Sequence, residues 1–142
     1  MIRPATAEEI PGLVDIWLRA SIRAHPFIPE AFWSSRAEAM ARERLPQAEE
    51  LAVLDVADRV IGFAALNGDH LEALFIDPEV QSYGHGSRLM AHAMAGHECL
   101  SLCVYSRNVR AVSFYHRLGF HAVDQRREPE AGEEETLMCW ER

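Results

Sequence analysis

Apolar positions along the chain change period several times, and each change marks a boundary between helical and extended backbone. Ile10, Leu13, Val14, Trp17, Leu18 and Ile22 recur at three- and four-residue intervals and so fall on one face of a helix. Thr6-Ala7-Glu8-Glu9 just ahead has the form of a capping box, and Met1 to Ala5 reads as a short opening strand. Pro11 falls in the early turns of this helix, where its missing N–H predicts a local bend. His25-Pro26-Phe27-Ile28-Pro29 ends the pattern. Each proline pushes its predecessor toward extended backbone, so a stiff loop is expected before a second helix from about Glu30 to Arg44.

From Leu51 the extended pattern takes over. Leu51 to Val56 and Val60 to Leu66 read as a hairpin turning at Ala57-Asp58-Arg59, and Asn67-Gly68-Asp69 turns the chain into a third strand, Leu71 to Ile76. Three antiparallel strands in a row argue against a doubly wound parallel sheet, which would interpose helices. Helical spacing returns at Leu89, Met90, Ala93 and Met94 and stops near Gly96. Leu100, Leu102 and Val104 alternate as a strand, Asn108 can cap a helix through Leu118, and Gly119 suits its left-handed end. Phe120 to Gln125 and Thr136 to Trp140 make a last hairpin, with Glu128 to Glu135 expected as an acidic, mobile connection. The order is βααβββαβαββ, an α+β chain organised as a single domain over residues 1–142.

Composition narrows the partners. With 142 residues, 49% hydrophobic and 25% charged, one sizeable core is expected. A formal charge of −8 argues against nucleic acid or an anionic membrane surface and suits a cationic or amine ligand. There is no apolar leader at the N-terminus and no run near the ~18 residues of a span, so a cytoplasmic location is expected. Cys99, Cys103 and Cys139 form no C-x-x-C pair, which predicts reduced thiols. All 14 basic residues are Arg, so lysine chemistry is excluded. The histidines match no metal-ligand spacing, and no metal is assigned.

Candidate chemistry concentrates at Gln81-Ser82-Tyr83-Gly84-His85-Gly86, between a strand and a helix start. First-turn N–H groups of a helix lack internal partners, and the helix dipole adds positive potential, so an anion docks there readily. Gly84 and Gly86 admit positive φ and close approach of a ligand to the backbone. A phosphate-bearing cofactor is the first reading, and a plain strand-to-helix turn is the alternative. Phe27, Ile28, Phe32 and Trp33 could wall a substrate pocket, with His25 beside them, or could form a small satellite core.

Q-x-x-G-x-G at Gln81 to Gly86 together with N-x-x-A-x-x-F-Y-x-x-x-G-F at Asn108 to Phe120 resembles the two cofactor motifs of the GNAT superfamily of N-acetyltransferases. His25-Pro-Phe-Ile and the run from His70 to Pro78 are also similar to small bacterial members of the YjaB type. The resemblance implies a mostly antiparallel mixed central sheet flanked by helices, and acetyl-CoA as acetyl donor. It implies that the backbone of Gln81, Ser82, Tyr83, Gly84, His85, Gly86, Ser87 and Arg88 holds the pyrophosphate. The strand ending at Phe75 and Ile76 would pair with the pantetheine arm like an added strand. Asn108 would bond the arm from the other side, with Ala111 and Phe114 near it, and Arg88 and Arg117 would be available to phosphates.

Tyr115 matches the general acid of the family, placed to protonate the leaving thiolate. For the base, His70 and Glu72 are candidates, because a period of two puts both on one face of the cofactor-binding strand. A lysine-like amine of pKa about 10.4 costs roughly 4.6 kcal/mol to neutralise at pH 7, an α-amine about 1. A base therefore matters more for the first acceptor. His25, Phe27 and Trp33 are the candidate acceptor-binding residues. The expected reaction is direct transfer to a primary amine of a small molecule or peptide, with no acyl-cysteine, so that Ser at Cys99 and Cys103 preserves turnover. A cofactor-sensing module acting through a partner protein and an O-acyltransferase are the rivals, and a homodimer is left open.

Overall fold

The computed structural model describes residues 1–81 and 83–142. Seven strands form one sheet in the order β1-β2-β3-β4-β5-β7-β6: β1 (Ile2–Pro4), β2 (Glu50–Val56), β3 (Arg59–Asn67), β4 (His70–Ile76), β5 (Cys99–Tyr105), β6 (His121–Glu128) and β7 (Glu133–Glu141). All pairings are antiparallel except β4 with β5. Helices α1 (Ile10–Ala24), α2 (Glu30–Ser34) and α3 (Ala37–Ala39) precede β2, α4 (His85–Ala95) joins β4 to β5, and α5 (Val109–Arg117) joins β5 to β6.

Two cores sandwich the sheet. Leu89, Met90 and Ala93 of α4 pack with Leu54, Leu66, Leu71 and Leu102 on one face; Leu13, Trp17, Trp33 and Leu45 pack with Val53, Phe63 and Ala73 on the other. β3 runs between them and is buried from Ile61 to Leu66, which explains its unbroken apolar sequence. Ile28 and Trp33 belong to the second core, so the loop after α1 is anchored there rather than forming a satellite.

Several expectations are corrected. The helix expected over 30–44 breaks after Ser34. In a continuous helix the Phe32 carbonyl would accept the Arg36 N–H; instead it accepts Ser35 Oγ and Arg36 Nη1, each at 2.9 Å, and the Arg36 N–H turns to Trp33 O. The chain then continues through α3 into a π turn, Met40–Arg44, closed by the Leu45 N–H on Met40 O. Pro11 occupies the first turn of α1, where no N–H is required, so it removes no hydrogen bond from the helix interior. The acidic connection shrinks to residues 129–132, since β6 and β7 stay paired to Glu128 and Glu133. Tyr105 binds Glu128 at the end of β6 and Arg36 binds Glu130 of the connection, which ties the hairpin down.

Candidate active site

The site originates where two strands part. β4 and β5 meet at one pair, His70 opposite Ser101, fixed by the Ser101 N–H on Asp69 O at 2.9 Å. β4 remains paired with β3 as far as Ile76, so its other edge, from Leu71 onward, enters no ladder among the described residues. An open strand edge is a row of unpaired N–H and C=O groups that can pair with an extended ligand. Gln81 Nε2 donates to Ile76 O at 3.2 Å at the end of that row. A cleft of about 1530 Å³ occupies the gap and reaches both faces of the sheet.

On the α4 side it is lined by Phe75, Ile76, Gln81, Gly84, His85, Gly86 and Ser87, and across from them by Asn108, Ala111, Phe114, Tyr115 and Arg117. Gly84 caps α4 at φ 80°, in the left-handed region, and its carbonyl accepts the Arg88 N–H, which leaves the N–H groups of the first turn without intrahelical partners. Gly86 is helical. Its need is space, because a Cβ there would stand 3.2 Å from Phe114 Cζ. His85 Nδ1 is buried without a hydrogen-bond partner at the same helix start. Tyr83 and Arg88 are exposed and lie outside the cleft lining, and Ser82 falls outside the described residues.

Tyr115 makes edge-type ring contacts with Phe114 at 5.3 Å and Phe120 at 5.8 Å between centroids. Burial pushes its phenol up to about 12, so it is protonated at neutral pH. Asn108 caps α5 by accepting the Ala111 N–H at 3.2 Å, as its sequence position predicts.

On the α1 side the lining includes His70, Glu72, Trp33, His25, Cys103, Tyr105 and Glu128. A bulge places Glu72: the register of β3 with β4 jumps from Ala65 opposite Ala73 to Leu66 opposite Leu71, so Glu72 is the extra residue. His70 and Glu72 therefore both reach the cleft, although simple alternation is broken between them. His70 Nδ1 lies 2.7 Å from Ser101 Oγ, and Glu72 meets Asn67 Nδ2 at 3.4 Å and Arg44 Nη2 at 4.0 Å. Cys103 also lines the cleft, but burial pushes its thiol up and away from the thiolate form. Phe27 is one layer behind the lining, against His25 and Tyr105 and under Arg107.

Two groups escaped the sequence reading. Tyr105 donates to Glu128 at 2.8 Å; burial opposes ionisation of that carboxyl, but this bond and the N–H groups of Glu130 and Ala131 hold it below its ordinary range. Asp77, just past the end of β4, takes a forked pair of bonds from Arg19 at 3.0 and 3.2 Å, another from Arg59 at 3.0 Å, and the Glu79 N–H. The Asp-Pro step signals a turn, but nothing in the local sequence names partners on α1 and β3.

Among the described residues no helix is long and apolar enough to cross a membrane. The family model described as an acetyltransferase (GNAT) domain matches residues 5–140. The peptidyl-lysine N-acetyltransferase YjaB of Escherichia coli is 34% identical over 96% of this chain and 92% of its own, and YjaB of Salmonella typhimurium is 32% identical over 96% and 94%. The solution structure of apo YjaB from Escherichia coli superposes with a TM-score of 0.87 at 30% identity, covering 99% of this chain and 96% of the other. At 18% identity the Thermoplasma acidophilum PaiA N-acetyltransferase, crystallised with coenzyme A, shares the fold with a TM-score of 0.79 over 100% of this chain and 98% of that one. The parted strands, the capped glycine turn and these matches agree, and the chain belongs to the GNAT family of acetyltransferases.

Proposed function

We propose that this acetyltransferase takes its acetyl group from acetyl-CoA and transfers it directly to a primary amine, with a peptide lysine as the acceptor class. The observation that carries the reading is the open β4 edge from Leu71 to Ile76, with the α4 N-terminus at one end and Asn108 and Tyr115 across the gap. The residues present fit the donor. The first-turn N–H groups of α4 suit a pyrophosphate, the orphaned His85 Nδ1 offers it a further polar contact, and Arg117 lines the same side. The free edge of β4 and the Asn108 amide suit the amide-bearing arm. Acetyl-CoA, when bound, supplies an activated thioester.

The remaining chemistry belongs to the chain. N–H groups of the β4 edge near Ile76 stabilise negative charge on a carbonyl oxygen, an effect strongest in a water-poor site. Tyr115, protonated at neutral pH, delivers its proton to the departing sulfur. His70, with Nδ1 on Ser101, or Glu72 takes the proton from the amine, directly or through water. The acceptor enters from the α1 side past Trp33 and His25, where Glu43, Glu72, Glu128 and Glu130 favour a cation. The names of the YjaB relatives support lysine over other amines.

The test is thiol release from acetyl-CoA with lysine peptides, free amines and alcohols as acceptors. Turnover on lysine peptides is expected. Binding of acetyl-CoA with no turnover on any acceptor would favour a sensing module instead.

A further inference from the structure

The loop after α1 holds a histidine whose two ring nitrogens are both committed inside the protein. His25 Nδ1 lies 2.7 Å from Ser21 O, a carbonyl that can only accept, so the proton sits on Nδ1 and Nε2 carries the lone pair. Asn108 Nδ2 lies 3.3 Å from that lone pair, while Asn108 Oδ1 accepts the Ala111 N–H. Two backbone groups, the Ser21 carbonyl and the Ala111 N–H, thus fix both the tautomer of His25 and the amide orientation of Asn108. The ring cannot easily turn: it stacks on Trp33 at 4.9 Å and 28° and meets the edges of Phe27 at 5.6 Å and Tyr105 at 5.4 Å.

We infer that His25 is a positioning residue for the donor: its neutral imidazole holds the Asn108 amide so that one N–H and one oxygen lone pair stay free for the arm of acetyl-CoA. The inference rests on the proposed role of Asn108. It also revises His25 from an acceptor-binding candidate to a support for the opposite side of the cleft.

A sign follows for pH. A protonated His25 would present Nε2–H to Asn108 Nδ2–H, donor against donor. Asn108 would then have to flip, losing the Ala111 cap, or withdraw. The groups facing the ring are the Ser21 carbonyl of α1, Phe27 of the loop, Trp33 of α2, Tyr105 of β5 and Asn108; Arg107 lies one layer out on Phe27 and Glu128 one layer out on Tyr105. No carboxylate among the described residues contacts the ring, and burial lowers its pKa, so the switch lies on the acid side of an ordinary imidazole.

The experiment is a double-mutant cycle on acetyl-CoA affinity with a pH series. His25→Phe keeps the aromatic stack and removes the acceptor; a roughly five- to tenfold weaker Kd is expected, with kcat changed less. His25→Gln, whose carbonyl can accept from Asn108, should recover most of the affinity. In an Asn108→Ala background His25→Phe should cost nothing further. Wild-type affinity should fall on acidification, on the acid side of an ordinary imidazole, while that of Asn108→Ala stays flat. If Asn108→Ala itself leaves affinity unchanged, the role of Asn108 fails. If Asn108→Ala weakens binding but His25→Phe does not, or the two effects add, the His25 inference fails. Should His25→Phe not fold, NMR of the wild type decides: the Asn108 side-chain amide must shift as His25 titrates, and an amide indifferent to that titration overturns the proposal.

Discussion

Asp77→Asn tests whether one carboxylate anchors the start of the glycine turn. Asp77 is 3% exposed and ties α1 and β3 to the end of β4 through Arg19 and Arg59. The Arg19 bonds, with the Glu79 N–H and the charges of Arg19 and Arg59, outweigh burial and lower its carboxyl from 3.8 to about 2. At about 1.36 kcal/mol per unit this is about 2.4 kcal/mol of stability at neutral pH. Because the folded pKa is the lower one, the contribution is complete above about pH 5, falls to about half by pH 3 and vanishes below pH 2. Asn retains the acceptor for Glu79, and Arg19 and Arg59, with side chains 38% and 53% exposed, can hydrate. The expected loss is therefore about 2 kcal/mol at pH 7, or roughly 7 °C in Tm for a chain of this size. Urea unfolding of both proteins at pH 7, 4 and 3 measures it. A deficit that is the same at pH 7 and pH 3 would refute the charge argument.

Other perturbations address the site and the turns. Tyr115→Phe removes the proton donor while keeping the ring contacts with Phe114 and Phe120, so kcat should fall about 100-fold with acetyl-CoA affinity unchanged; an unchanged kcat assigns Tyr115 to packing. Gly84→Ala enters open space but at φ 80°, so it should cost about 1 kcal/mol in denaturant melts without a steric clash. Ala57 and Asp58 occupy the β2–β3 turn at φ 53° and 62°, and Asp58→Gly should raise stability by about 0.5 kcal/mol.

The amino-acid sequence by itself determined the elements and the motif. Local rules suffice where the cause is local. The alternation of β5, the Asn108 cap and the left-handed stop at Gly119, φ 100°, are set by neighbours within four residues. So is the glycine turn ahead of α4, and its pairing with the Asn108 helix identified the family. Local periodicity also misled at the helix expected over 30–44, where side-chain donors take the Phe32 carbonyl.

Tertiary structure alone decided the working parts of the cleft. The single His70–Ser101 pair that lets β4 and β5 part, the Arg19–Asp77–Arg59 anchor and the His25–Asn108 contact at the centre of the relay all join residues remote in sequence. Hydrogen-bond partners across such separations are chosen by how the elements pack. No window of sequence contains both ends of the bond.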